Sequence, residues 1–320
     1  MRVLFIGTGE IGVPVLRSLL ESREHDLIGV VTQPDKPVGR AQRIEAPPIK
    51  AALTGSTLPI LQPPRIRTED AVHEIRALAP DVIVVMAYGQ ILPRAVLEIP
   101  RIACLNLHAS LLPQHRGAAP IQAAIVAGDH ESGISVMYMS EGLDTGDVLL
   151  QSRLELSPDE TGGSLHDRLA QIAPGALHEA LAQLQQGNAS RVPQDSSAAT
   201  YAPKLEREHG RIQWTESAAL IERKIRAFNP WPGAFTILRD AGHERKLKIF
   251  SAKVVAAEKT APGEILSASD SLTIAANEGA LSLGEVQLEG KRRMSASEFL
   301  RGYNAPVRIA GDGAGPPSGR

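Results

Sequence analysis

Asn106 and His108 stand two residues apart in the stretch Cys104-Leu105-Asn106-Leu107-His108-Ala109-Ser110-Leu111-Leu112-Pro113, which leads into His115-Arg116-Gly117. In an extended chain alternate residues share a face, so an amide and an imidazole would point the same way. That pair suits acyl transfer. The amide can donate hydrogen bonds to a developing oxyanion, and the imidazole exchanges protons near neutral pH. A carboxylate follows in the loop Gly142-Leu143-Asp144-Thr145-Gly146-Asp147. Glycines on both sides allow the backbone to bring Asp144 into a crevice, and an Asp beside a His orients it and favours its charged form. Each element also has a plainer reading. A polar pair can simply close a strand with hydrogen bonds, and Asp-Thr-Gly-Asp is ordinary turn chemistry.

Those residues need a scaffold, and the alternation of strand and helix signals describes one. Arg2–Ile6, Leu27–Val31, Asp81–Met86, Ile102–Leu107, Ile134–Met139 and Val148–Leu156 are apolar, β-branched runs predicted as strands. Helical spacing at residues 11–20, 70–78, 118–126 and 165–184 separates several of them, with Thr161 available as a cap for the last. Strands buried on both faces and joined by helices imply an α/β, doubly wound, mostly parallel sheet. Asn106 and His108 then fall at the carboxyl end of a strand, where such sheets place their ligand crevice. Residues 1–188 are the expected catalytic domain and 189–206, poor in apolar periodicity, a linker. Residues 207–309 bring an amphipathic helix at Ser217–Phe228 and five short strands, the pattern of a small β-barrel of OB type. The tail, 310–320, is expected to be disordered.

Other patterns narrow the chemistry. Gly7-Thr8-Gly9-Glu10-Ile11-Gly12 is a literal GxGxxG between a strand and a helix. The second strand ends Val30-Val31-Thr32-Gln33, without the acid that would hold a ribose hydroxyl, and Glu10 sits where phosphates would bind. The glycines read as a tight turn, and no NAD is expected. With no CxxC, HExxH or His/Asp cluster, no metal is expected. The 320 residues contain no run of about 18 apolar residues, so no membrane span is expected. A single cysteine, Cys104, leaves no intramolecular disulfide and fits a cytoplasmic protein. Charge is uneven: residues 201–320 carry 18 Lys+Arg against 14 Asp+Glu, a net +4 within a chain of net −2. A polyanionic partner would produce such an asymmetry, as would random scatter over two surfaces.

NLHASLLPxxRG at 106–117 followed by GLDTGD at 142–147 resembles the folate-dependent formyltransferase family. TQPDKPVGR (32–40), VVMAYGQILP (84–93), GAAPIQ (117–122) and RAFNPWPGAF (226–235) are similar to its methionyl-tRNA branch in particular. Where the family usually shows a Pro and an aromatic after the first Gly-Thr, this chain has Gly9 and Ile11.

The resemblance implies 10-formyltetrahydrofolate as donor, initiator methionyl-tRNA as acceptor, and a single chain as the working unit. It implies Asn106, His108 and Asp144 as the catalytic set, with Asn106 and His108 stabilising the oxyanion. Ser110, Leu111, Leu112 and Pro113 would contact the folate. Tyr88, Gly89, Ile91 and Leu92 would help form its pterin pocket. Lys36, Arg40 and Arg43 would grip the tRNA acceptor end from the 33–49 loop, with prolines stiffening it. Beside the resemblance, the basic residues Lys204, Lys246 and Lys248 are candidates for contact with the tRNA backbone, the last two on one strand face, with a solvated barrel face as the alternative. The alternatives are another folate-dependent formyltransferase or hydrolase on the same scaffold, with a sugar or nucleotide amine as acceptor, and a non-catalytic tRNA-binding protein.

Overall fold

The computed structural model describes residues 1–39, 42–240, 243–258, 260–269, 271–303 and 309. Arg40 and the tail from 310 lie outside the described residues. The chain forms two compact units. One gathers Met1–Pro120, Glu131–Glu155 and His166–Pro203; the other gathers Ile121–His130, Leu156–Leu165 and the described residues from Lys204 onward.

In the first unit β1 (Arg2–Gly7) and β2 (Asp26–Val31) are followed by a hairpin of β3 (Lys36–Val38) and β4 (Arg43–Glu45). Then come β5 (Ile60–Leu61), β6 (Val82–Met86), β7 (Ala103–His108), β8 (Arg116–Gly117), β9 (Glu131–Tyr138), β10 (Val148–Glu155) and β11 (Tyr201–Ala202). Seven strands share one sheet in the order β10-β9-β7-β6-β1-β2-β5. β5, β2, β1, β6 and β7 pair in parallel. β9 runs antiparallel to both of its neighbours. Its apolar run shows burial on both faces but carries no direction, so the sequence could not tell this strand from the parallel ones.

Helices α1 (Val13–Glu21), α2 (Pro48–Ala51), α3 (Glu69–Ala77) and α4 (Arg94–Leu97) connect the strands. Leu4 and Ile6 of β1, Ile83 and Val85 of β6 and Cys104 of β7 project to one face. There they meet Val72 and Ile75 of α3 and Val96 of α4 in a continuous core. Alternate residues of β1 turn the other way, and Phe5 meets the turn into α1 at Gly12. The glycines at 7, 9 and 12 serve this packing. A Cβ at Gly7 would lie 2.9 Å from the Met86 carbonyl. The Thr8 and Gly9 amides both donate to the Ala87 carbonyl at 3.2 Å. Two of the N–H groups of this turn are therefore engaged within the protein.

In the second unit α5 (Pro120–Ala127) and the first turn of α6 (Gly162–Gln186) accompany α7 (Ala218–Ala227) and α8 (Ala296–Gly302). Thr161 caps α6 as expected, its hydroxyl accepting from the Ser164 amide at 3.1 Å. Ser217 caps α7 by accepting from Leu220. The strands are β12 (Phe235–Asp240), β13 (His243–Ile249), β14 (Ala252–Val255), β15 (Ile265–Ala268), β16 (Leu272–Ala275), β17 (Ala280–Leu283), β18 (Glu285–Leu288) and β19 (Met294–Ser295). They form two four-stranded sheets, β12-β13-β18-β19 and β14-β17-β16-β15, with every pairing antiparallel.

Of the five strands that apolar runs predict in 207–309, the two at 246–255 and 280–288 each break in two. They bend together where the Gly284 amide donates to the Ser251 carbonyl at 2.8 Å. A Cβ at Gly284 would stand 2.5 Å from the Ser251 hydroxyl oxygen. Each chain thus turns the corner from one sheet to the other, as barrel-like packings require. Ile221 and Ile225 of α7, Trp214, Leu247, Ile274, Leu281 and Val286 fill the space between.

Candidate active site

Asn106 and His108 occupy the last turns of the pleat in β7, held between β6 and β9. Asn106 lies opposite Val85 on one side and Met137 on the other, and His108 lies opposite Ser135. The imidazole is buried, at 6% exposure. Its Nε2 lies 2.9 Å from the His115 carbonyl. A carbonyl only accepts, so Nε2 carries a proton. Nδ1 is left for chemistry, and it faces the Asp144 Oδ2 at 3.7 Å. That separation is long for a hydrogen bond and short for an ion pair.

The Asp144 carboxylate is fixed by the Gly117 amide, which donates to Oδ2 at 2.8 Å. Its main chain is left-handed, with φ +51°. Asp, not either flanking glycine, adopts the special conformation here. The glycines are needed for close approach instead: a Cβ at Gly146 would lie 1.7 Å from the Tyr138 carbonyl. Among the described residues the Asn106 carboxamide has no hydrogen-bond partner. A free amide, an imidazole nitrogen and a carboxylate thus stand at the carboxyl end of one strand and the loop beside it.

The expected folate segment is internal. Ser110, Leu111 and Leu112 are buried. The Ser110 hydroxyl donates to the Gln114 carbonyl, and the Ser135 hydroxyl donates to the Ser110 carbonyl while accepting from the Leu112 amide. Pro113 is half-buried. The 88–92 loop divides differently. Tyr88 and Leu92 join the sheet's core, whereas Ile91 is 83% exposed and Gly89 is left-handed at φ +85°. Tyr88 has an unpartnered hydroxyl, and burial pushes its phenol up to about 12. The Tyr88 and Leu92 side chains thus face the core, and the Ile91 side chain faces outward. Among the described residues the backbone amides of Gly89, Gln90, Ile91 and Leu92 make no hydrogen bond.

His115, which the sequence leaves as either surface-exposed or facing substrate, is buried and serves through its carbonyl. Cys104 is a buried hydrophobe beside Met139, its thiol pushed up to about 12 by burial. Ile11 is buried as well. Among the described residues no group of three or more His, Cys, Asp or Glu is placed to hold a metal ion, and no helix is long and apolar enough to cross a membrane.

The formyl transferase family matches residues 1–181, and the formyl transferase C-terminal domain matches residues 204–304. The chain belongs to the formyl transferase family. Among curated relatives, a methionyl-tRNA formyltransferase of Akkermansia muciniphila is 47% identical over 95% of this chain and 97% of its own length. One from Pseudomonas putida is 48% identical over 94% of this chain and 95% of its own. A sugar 3N-formyltransferase, WlaRD, crystallised with dTDP and 5-N-formyl-THF, superposes with a TM-score of 0.66 at 15% identity, covering 91% of this chain and 99% of that one. A methionyl-tRNA formyltransferase from Clostridium thermocellum gives 0.54 at 18% identity over 80% and 94%. These structures share the formyl transferase fold.

The two family matches leave residues 182–203 between them, which takes in most of the 189–206 stretch expected to be a linker. That stretch is built into the first unit. Val192 exchanges amide and carbonyl hydrogen bonds with Val148. Thr200 accepts from the His115 amide at 2.8 Å, and β11 pairs with β8. Gln194 donates to the Asp144 and Gly146 carbonyls. None of these residues carries a local motif, so sequence reasoning passed over them.

The basic candidates are unequal. Lys36 is engaged by Gln33, and the Lys246 ammonium sits 3.7 Å from the Phe235 ring centre. Arg43, Lys204 and Lys248 are exposed and have no ion-pair partner among the described residues. Lys224 and Arg226 pair with Glu216 and Glu222.

Proposed function

We propose that this chain transfers the formyl group of 10-formyltetrahydrofolate to the α-amine of initiator methionyl-tRNA, as a single chain in the cytoplasm. The observation that carries the proposal is the unpartnered Asn106 carboxamide beside the His108 Nδ1 and Asp144 Oδ2 pair, 3.7 Å apart. The length-wide likeness to methionyl-tRNA formyltransferases supports the choice of acceptor.

The neutral amine attacks the formyl carbon and a C–N bond forms. The bond from that carbon to the folate nitrogen then breaks, and one proton passes from the attacking nitrogen to the leaving one. Asn106 donates to the oxygen that gains charge, through a preformed amide that needs no reorganisation. His108 has only Nδ1 to offer, because its Nε2–H is held by the His115 carbonyl. We therefore read its part, acting through Nδ1, as proton handling with Asp144. No covalent enzyme intermediate is required. The backbone amides of Gly89–Leu92 offer donors to the edge of a pterin ring, and Ser110–Pro113 shapes that pocket from behind. Residues 1–188 would form the catalytic domain. Arg43 of the hairpin, together with Lys204 and Lys248 among residues 204–309, would meet phosphates of the tRNA.

The experiment is a formylation assay with 10-formyltetrahydrofolate against methionyl-tRNA, a nucleotide-linked amino sugar and water. Turnover is expected with the first acceptor only. Asn106→Ala should lower kcat by roughly 100- to 1000-fold, the usual effect of losing one oxyanion donor. A folded Asn106→Ala variant with undiminished kcat would end the assignment.

A further inference from the structure

Asp144 stands on a left-handed backbone that a non-glycine residue holds only when its surroundings over-determine it. One side chain supplies much of that determination. The Gln194 Nε2 donates to the Asp144 carbonyl at 2.8 Å and to the Gly146 carbonyl at 2.7 Å. Its Oε1 accepts from Arg116 Nε at 3.0 Å and Nη2 at 2.8 Å. Both amide protons and both lone pairs are thereby used. Arg116 directly precedes Gly117, whose amide holds the Asp144 carboxylate, and directly follows His115, whose carbonyl holds His108. Gln194 therefore joins the two loops that carry the partners of the His108–Asp144 pair. Val192, through its paired hydrogen bonds to Val148, anchors the strut at its base.

We infer that Gln194 is a positioning residue for the reaction, setting the distance between His108 and Asp144 by tying the 142–147 loop to the 115–117 loop. The inference rests on the catalytic reading of Asp144 given above. Gln194→Leu removes all four hydrogen bonds. Gln194→Glu keeps the Arg116 contact but turns a carboxylate oxygen toward two carbonyls, which repels the loop.

The test measures kcat, KM for both substrates and thermal unfolding for Gln194→Leu, Gln194→Glu and Asp144→Asn, together with the double variants carrying Asp144→Asn. Misplacement of a reacting group by about 1 Å costs on the order of 100-fold, so both Gln194 variants should lose about 10- to 100-fold in kcat with both KM values little changed. In the Asp144→Asn background, read by single turnover, the further loss should shrink below about threefold, because coupled sites are not additive. A merely structural residue would cost the same factor in either background, and that result would overturn the inference. So would wild-type kcat in Gln194→Leu with Asp144→Asn slow. Wild-type turnover by Asp144→Asn would instead sink the catalytic reading itself and this inference with it.

Discussion

The catalytic pair on β7 and the carboxylate that faces it are held by different means. Asn106 and His108 are fixed by a sheet, with β6 on one side and β9 on the other. Their placement is shared among many backbone hydrogen bonds, so no single side chain decides it. Asp144 is fixed in a loop between strands by a left-handed backbone, the Gly117 amide and the Gln194 side chain. Its placement depends on a few contacts, each of which a single substitution removes. The strand side should therefore lose stability when its supports are cut, and the loop side should lose rate.

Among changes to the supports, the largest expected effect is on the loop side. In Gly146→Ala the new Cβ would meet the Tyr138 carbonyl at 1.7 Å, and that carbonyl belongs to the end of β9 and cannot retreat without unpairing the strand. The loop must move instead, carrying Asp144 with it. We expect kcat to fall by roughly 100-fold, as for a displacement of about 1 Å, with the unfolding midpoint changed far less. A Gly146→Ala enzyme with full kcat would show that the loop tolerates displacement and erase the contrast.

The strand side is tested at Ser135, fully buried on β9 opposite His108. Its hydroxyl donates to the Ser110 carbonyl at 2.7 Å and accepts from the Leu112 amide and from Gln151 Nε2, both at 3.0 Å. Ser135→Ala leaves buried backbone groups unsatisfied, at about 1–3 kcal/mol. A lower denaturant midpoint at unchanged slope should accompany a kcat close to that of the wild type. The reverse outcome, intact stability with lost turnover, would mean that strand and loop are not supported differently.

The same division explains what the sequence revealed. Asn106 and His108 were legible because strand alternation and a position at the carboxyl end of a strand are periodic properties. Asp144 was legible as a residue in a glycine-flanked loop, but its own left-handed backbone was not, since a sequence pattern assigns positive φ to glycine before aspartate. Gln194 and Thr200 were not legible at all. Their partners are 50, 78 and 85 residues away, and a lone Gln or Thr in an aperiodic stretch has no local pattern. Tyr88 and Leu92 were legible as members of a loop, yet their side chains joined the core that Leu4, Ile6 and Val85 begin. In the second unit the corner at Ser251 and Gly284 left only a one-residue shift in apolar alternation, from Leu281 and Leu283 to Val286 and Leu288, within a run that otherwise reads as one strand.

The smallest effect concerns the opposite end of the sheet, and it isolates the scaffold from the site. His25, just before β2, is buried with an unpartnered Nδ1 and lies against His178 with ring centres 6.4 Å apart. Burial lowers its pKa first, the Met1 ammonium and His178 act the same way, and Glu24 opposes them. Because the folded value lies below the unfolded value of 6.5, the neutral ring is the one the fold accepts. Its contribution to stability is complete above that pH and is lost as the pH falls through the folded value. The unfolding midpoint should therefore decline on acidification below about pH 6.5, and His25→Phe should remove part of that decline. Turnover at pH 7.5 should be the same for both proteins, since β2 begins where the site-bearing strands are farthest from their carboxyl ends. An identical acid decline in His25→Phe would assign it to other groups, and a changed turnover at pH 7.5 would show that the two ends of the sheet are not independent.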